Sequence, residues 1–145
     1  MKFLLVFLLF FTSSVMAAEW PETPQDCLAA NIYHEARGES LAGQYLVAYV
    51  TMNRVKSDRF PNTICAVVKQ RKQFSWFKKG RSLFPKHADS WHSACSVATK
   101  FILKMPVSKI DMSEGALYYH AIYVKPSWRL RKTFIGRIGE HLYYR

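Results

Sequence analysis

Acidic residues are scarce in this chain, which has 10 Asp and Glu against 21 Lys and Arg and a formal net charge of +11. The acids are Glu19, Glu22, Asp26, Glu35, Glu39, Asp58, Asp89, Asp111, Glu114 and Glu140. Those ahead of or at the start of a predicted helix are explained by helix capping. A site that needs two cooperating carboxylates therefore has few candidates.

Several motifs are missing. The chain has no Walker-type loop and no G-x-S-x-G nucleophile motif, and Gly136 and Gly139 are too few to cradle a phosphate. His34-Glu35 begins like the zinc motif H-E-x-x-H, but Gly38 stands where the second histidine is required. The other histidines are His87, His92, His120 and His141. We expect no metal and no cofactor.

The uncharged stretch at residues 3–18 is too short for a comfortable bilayer span, which takes about 20 residues. It follows Lys2 and ends in small residues, which is typical of a secretory signal. We expect cleavage after Ala17 or Ala18, with a retained signal anchor as the alternative. Export to the periplasm or cell wall follows, with residues 19–145 as one domain.

Removing eighteen residues from 145 takes away one positive charge, Lys2, so +10 of the +11 remain. This excess favours polyanions. In an exported protein, an anionic wall polymer or membrane surface is a better partner than nucleic acid. We expect no nucleic acid and a monomer.

Three cysteines, Cys27, Cys65 and Cys95, allow at most one intramolecular disulfide, and all three pairings are open. Each lies in an apolar helical pattern, so we expect buried free thiols.

The first half of the chain predicts helices. Thr23 or Asp26 caps a first helix that Gly38 ends, and Ser40 caps a second helix to about Val55. Thr63 begins a short helix through Val68 or Gln70. Residues 71–88 are irregular and basic. Asp89 or Ser90 caps a further helix that Pro106 blocks.

Residues 116–121, 134–135 and 141–144 are strand-like, with a loop at 126–128. The predicted fold class is α+β, with three to four helices followed by a short antiparallel sheet.

The segment N-I-Y-H-E-A-R-G-E-S at residues 31–40 carries the chemistry. Leu28, Ile32 and Ala36 form one apolar stripe, and Glu35 lies beside it, where partial desolvation raises the pKa of its carboxyl group. A carboxylic acid kept neutral in this way can protonate a glycosidic oxygen. On spacing alone, a surface ion pair of Arg37 with Glu35 or Glu39 explains the segment equally well.

Aromatic residues in the second half could line a sugar-binding groove or fill the core. They are Trp76, Tyr118, Tyr119, Tyr123, Trp128, Tyr143 and Tyr144. Trp76 and Trp128 have polar neighbours in irregular segments, which makes them the better groove candidates.

Seven ordered blocks resemble the SleB/CwlJ family of cell-wall hydrolases. They are residues 30–39, 50–55, 60–65, 73–76, 115–120, 126–128 and 138–145. The resemblance runs from about residue 26 to 145 and implies a small lysozyme-like fold. It also implies cleavage of peptidoglycan glycan strands between N-acetylmuramic acid and N-acetylglucosamine by a lytic transglycosylase.

The resemblance assigns catalysis to Glu35, the Glu before Ala-Arg-Gly-Glu. We expect Glu39 and Arg37 to support it. Predicted substrate contacts are Asn53, Gln73, Tyr118, Tyr119, Trp128 and His141. Two alternatives stay open: a zinc-dependent N-acetylmuramoyl-L-alanine amidase, and a non-catalytic binder of anionic wall polymer.

Overall fold

The computed structural model describes residues 21–70, 73–74, 76–77, 84–104 and 112–145, so the predicted leader lies outside the described residues. In chain order the elements are α1 (Pro24–Ala36), α2 (Leu41–Val55), α3 (Ile64–Val68), α4 (Ala88–Ile102), β1 (Tyr118–Ala121), a 3-10 helix (Ser127–Arg131), β2 (Phe134–Ile138) and β3 (His141–Tyr144). The predicted α+β class is confirmed. Within these ranges, no helix has the length and apolar character to cross a membrane.

Side-chain caps set the start of the first three helices. The hydroxyls of Thr23, Ser40 and Thr63 each accept a hydrogen bond from the backbone N–H three residues on. Each bond satisfies a helix donor that has no partner within the helix. These local bonds explain why the sequence predicted the starts of α1, α2 and α3.

The predicted start of α4 is wrong. The helix begins at Ala88, and His87 occupies the cap position without a side-chain hydrogen bond. Asp89 therefore lies inside the first turn, where its negative charge favours the N-terminal end of the helix dipole.

Helix α1 forms the centre of the core. Its apolar stripe, with Leu28 and Ile32 fully buried, packs with Val47 of α2 and Val97 of α4. Several alanines line the same cluster and let the helices approach closely. These are Ala29, Ala36, Ala48, Ala94 and Ala98.

A disulfide links α1 to α3 through Cys27 and Cys65, while Cys95 remains a free thiol. The prediction of free thiols is therefore wrong for two of the three cysteines. The two bonded residues lie 38 positions apart, and only the packing of α3 on α1 brings them together.

The antiparallel sheet has the order β1-β3-β2. Its inner face, which carries Tyr119 and Tyr143, packs on Leu46 and Val50 of α2. Its outer face carries Tyr118 and Tyr144, which pair across β1 and β3. Alternation along each strand puts neighbouring residues on opposite faces.

The loop predicted at residues 126–128 is partly wrong, because Ser127–Arg131 form a 3-10 helix. The Trp128 ring lies 5.7 Å from the Tyr118 ring and 5.5 Å from the Tyr144 ring. This long-range packing on the outer face holds the helix in place. No local sequence pattern predicts such packing.

Candidate active site

Glu35 lies in the last turn of α1, against the inner face of the sheet. The hydroxyl of Tyr119 donates to its Oε2 at 3.3 Å. Burial raises the pKa of the Glu35 carboxyl group, while the Tyr119 hydroxyl, the charge of Arg54 and the Trp76 indole oppose the rise. Burial prevails, in the direction expected from the position of Glu35 beside the apolar stripe.

Arg54 is a buried cation near Glu35, only 2% exposed, and it is not among the predicted site residues. Its Nε donates to the carbonyl of Leu117 at 2.7 Å. With its amide oxygen turned towards Arg54, Gln73 accepts from both terminal nitrogens, at 3.1 and 3.2 Å. These bonds satisfy a charge that would otherwise be costly to bury.

A sequence signal for Arg54 does exist, because it is the one charged residue in α2. The rings of Phe60 and Phe74 flank its guanidinium at 5.1 and 5.7 Å. Burial lowers the pKa of Arg54, but the group keeps its charge because an arginine starts from a very high value.

Trp76 forms a buried wall beside Glu35. Its ring stacks on His34 at 4.4 Å and packs near Phe74 and Phe77. The indole nitrogen is buried and makes no hydrogen bond of good geometry with the described residues.

Glu39 holds two turns together. Its carboxylate accepts from the backbone N–H of Glu140 at 3.1 and 3.3 Å, and Nδ1 of His141 lies 3.4 Å from its Oε1. Glycines at positions 43 and 139 leave room for this carboxylate. Glu39 thus fastens the turn between α1 and α2 to the turn between β2 and β3.

Tyr119 lies between the two carboxylates. Its hydroxyl contacts Glu35, and its ring packs edge-on against His141 at 5.2 Å, next to Glu39. Burial lowers the pKa of His141, and the charges of Glu39 and Glu140 only partly oppose this.

Arg37 is exposed, and its guanidinium lies over the Tyr33 ring at 5.4 Å. Among the described residues it forms no ion pair with Glu35 or Glu39, so the alternative of a surface ion pair is wrong. Its support of catalysis stays a prediction.

The other predicted contacts are divided between two sides of the sheet. Gln73, Tyr119 and His141 lie with Glu35 or its neighbours, whereas Tyr118 and Trp128 stand on the outer face. Asn53 donates to Ser113 Oγ at 2.8 Å and to the carbonyl of Ala116 at 3.1 Å, which anchors the turn before β1. Substrate contact by these residues stays a prediction.

The described residues offer no cluster of three His, Cys, Asp or Glu side chains that could hold a metal. His34 stacks on Trp76, and Nε2 of His120 lies 3.1 Å from the Tyr144 hydroxyl. The ligand set of a zinc amidase is therefore not assembled in this part of the chain.

Comparison with known proteins gives the context of this geometry. Two spore cortex-lytic enzymes, from Bacillus subtilis and Bacillus cereus, are 32% and 31% identical over 117 residues, or 80% of this chain. The match covers 35% and 42% of those proteins, so the chain spans about a third to two-fifths of the length of these relatives.

Two solved structures are similar in fold. The catalytic domain of the germination-specific lytic transglycosylase SleB from Bacillus anthracis has a TM-score of 0.66 at 26% identity, covering 88% of this chain and 99% of that domain. The catalytic domain of the Bacillus cereus SleB protein has a TM-score of 0.63 at 27% identity, covering 86% and 91%. The expected lysozyme-like fold is confirmed.

A family model described as Cell Wall Hydrolase matches residues 38–144, beginning three positions after Glu35. The role of Glu35 therefore rests on its surroundings rather than on this match. By that match over most of its length, the chain belongs to the cell wall hydrolase family.

Proposed function

We propose that this protein cleaves the glycan strand of peptidoglycan between N-acetylmuramic acid and N-acetylglucosamine, as a lytic transglycosylase with Glu35 as its catalytic acid. The observation that carries the proposal is the partly buried Glu35 carboxyl group, with its raised pKa and one hydroxyl donor. The likeness to catalytic domains of SleB proteins supports it.

Glu35 does two jobs in sequence. Protonated in the free enzyme, it gives its proton to the glycosidic oxygen as the bond from that oxygen to C1 of muramic acid breaks. The resulting carboxylate takes the proton from the muramic 6-hydroxyl, whose oxygen closes on C1. The product is a 1,6-anhydro ring, and Glu35 returns to its protonated form.

Tyr119 and Arg54 support the intermediate state. Both favour the ionised carboxylate, by hydrogen bond and by charge. Their influence is smaller than that of burial, so the net shift favours the protonated acid while both groups still stabilise the negative charge between the two proton transfers.

The surroundings of Glu39 favour this route over hydrolysis. A hydrolase needs a second carboxylate to attack or to direct water. Glu39 is the first candidate, but both of its oxygens are engaged by the N–H of Glu140, and His141 lies beside them. A carboxylate fixed in this way is better suited to holding the site in shape.

The proposed substrate and the positive net charge both indicate where the enzyme acts. An enzyme that cleaves peptidoglycan acts outside the cytoplasm, which agrees with the export predicted from residues 1–18. The basic surface would retain it on a wall that carries carboxylates and phosphates.

Mass spectrometry of muropeptides released from purified sacculi tests the proposal. We expect anhydro-muramyl ends from the wild type and a loss of roughly 10²- to 10⁴-fold in rate for Glu35→Gln. Glu39→Gln is the matched control, which should release the same products at a smaller loss. Circular dichroism shows whether both variants are folded.

Each other result overturns the proposal in a distinct way. Reducing ends indicate a hydrolase, and free stem peptides indicate an amidase. Full activity of a folded Glu35→Gln variant removes Glu35 from the reaction. Binding to sacculi without any released product indicates a non-catalytic binder.

A further inference from the structure

We infer that the outer face of the sheet carries a docking surface for an anionic lipid bilayer, built by residues 122–134. We call this segment the outer loop. It joins β1 to β2, and because these strands flank β3, the loop must cross over the sheet. Trp128 packs on the outer aromatic side chains and holds the loop against the sheet.

Large apolar side chains stand out from the outer loop. Tyr123 is 81% exposed, Leu130 76%, Phe134 55% and Val124 43%. A concentration of such side chains in one short segment marks an interaction site, since single exposed apolar residues are usually scattered.

Cations alternate with these apolar residues. They are Lys125, Arg129, Arg131 and Lys132. No acidic residue occurs between Gly115 and Gly139. Among the described residues, the ion pairs are Arg137–Glu140 and His141–Glu39, so none neutralises a cation of the outer loop.

The side chains fit a bilayer better than an anionic polymer. Leu130 and Val124 are aliphatic and gain by leaving water for the boundary between headgroups and acyl chains. They offer no ring face for a sugar or a base to stack on, and the rings of Tyr123 and Phe134 also suit the membrane interface. The neighbouring cations match the phosphates of anionic headgroups.

The contact between Glu35 and Tyr119 lies on the other face of the sheet from this surface. Tyr119, which contacts Glu35, is on the inner face of the sheet, and the outer loop covers the opposite face. A molecule docked through the outer loop would lie on the membrane with Glu35 on the far side of the sheet. Trp128, a predicted substrate contact, supports the outer loop from within. The tested residues Leu130 and Arg131 are not predicted site residues, so vesicle binding and glycan cleavage are separate measurements.

Vesicle co-sedimentation tests the inference with residues 19–145, because the similar catalytic domain from Bacillus anthracis, which covers 88% of this chain, was solved by itself. The vesicles are phosphatidylcholine with one quarter phosphatidylglycerol, or phosphatidylcholine alone. We expect binding to the anionic vesicles only. We also expect L130N/R131N to bind about tenfold or more weakly, since it removes one inserted side chain and one charge.

The matched control is L103N/K104N. Leu103 is 64% exposed, and Lys104 beside it is also exposed, at the end of α4 and in a different segment from the outer loop. This variant removes the same kinds of group and should bind like the wild type. Unchanged melting temperatures show that both variants are folded.

Four results would overturn the inference. The wild type could fail to bind anionic vesicles, or could bind neutral ones equally. L130N/R131N could bind like the wild type. The control could lose as much affinity as the test variant, which would make net charge the cause. Weakened binding of L130N/R131N to dextran sulfate, with vesicle binding unchanged, would indicate a polymer site.

Discussion

Three groups oppose burial in setting the pKa of Glu35. The Tyr119 hydroxyl is the largest of these influences, followed by the charge of Arg54 and then by the Trp76 indole. In the proposed reaction Glu35 must be protonated to act, so we expect activity to be lost as the pH rises through its pKa.

Removal of the Tyr119 hydroxyl should change the pH at which activity is lost. In Tyr119→Phe the carboxylate loses a hydrogen-bond donor at 3.3 Å, so the pKa of Glu35 rises further. We expect the alkaline limb of the kcat/KM profile to move to higher pH. The rate at the optimum should fall about tenfold, because hydrogen bonds to charged groups are the stronger ones.

Tyr143→Phe is the control. The Tyr143 ring lies 5.8 Å from the Tyr119 ring, but its buried hydroxyl has no hydrogen-bond partner among the described residues. The alkaline limb of the kcat/KM profile should not move in Tyr143→Phe. A limb that moves to lower pH in Tyr119→Phe would contradict the role given to this hydroxyl.

At this scale the sequence predicted the partial desolvation of Glu35 but not the residues that surround it. Glu35 and its apolar stripe lie within one helix, so periodicity suffices to find them. The bond from Arg54 to Leu117 spans 63 positions and exists only after β1 has packed on α2. Local sequence patterns do not predict contacts between residues so far apart in the chain.

Among the elements, α1 and α3 are joined covalently. The Cys27–Cys65 bond closes a loop of 38 residues, which the chain-entropy model values at about 4 kcal/mol. We expect C27A/C65A to lower the free energy of unfolding in urea by about that amount.

Reduction provides the control for this experiment. Dithiothreitol should bring the wild type to the stability of C27A/C65A and leave the double variant unchanged, because Cys95 is a free thiol. Equal stabilities of wild type and variant without reductant would show that the bond does not stabilise the domain.

The turn between β2 and β3 depends on Gly139. Its φ is +55°, and a Cβ atom there would collide with the Glu39 carboxylate. Gly139→Ala should therefore lower the free energy of unfolding by about 1–3 kcal/mol, since it combines backbone strain with displacement of a buried carboxylate.

Two other glycines separate these effects. Gly115 has a φ of +75° but open space around its Cβ position, and Gly136 has open space without a positive φ. In thermal unfolding, Gly115→Ala should lower the melting temperature through backbone strain alone. Gly136→Ala should leave the melting temperature unchanged, because it introduces neither strain nor a collision. Equal losses in Gly139→Ala and Gly115→Ala would show that the contact with Glu39 contributes nothing.

Elements with local signals were the ones that the sequence predicted. Caps at Thr23, Ser40 and Thr63 mark three helix starts by bonds within four residues. The start of α4 lacks such a bond. The 3-10 helix is held in place because the Trp128 ring packs on rings that are distant in sequence, such as Tyr118. Elements fixed by tertiary packing alone escape this kind of prediction.

For the whole molecule, we expect net charge to govern the proposed encounter with a polyanionic wall. With 21 cations against 10 anions, attraction should act beyond direct contact and weaken as salt shortens the screening length to about 8 Å at 0.15 M. We expect KM on sacculi to rise with potassium chloride while kcat stays constant. Turnover assays across a salt series measure both.

Sacculi whose carboxyl groups have been amidated are the control. On this substrate KM should vary much less with salt, because the wall has lost much of its negative charge. A salt effect on kcat with KM constant would indicate that the ions act on the catalytic site instead.

The strand order has a consequence for timing. β3 is the middle strand of the sheet but follows β1 and β2 along the chain. A polypeptide that emerges N-terminus first has no ladder to hold Tyr119 against Glu35 until residues 141–144 are free. The proposed site is therefore among the last parts of the fold to be completed, because the central strand of the sheet is also the final one to be made.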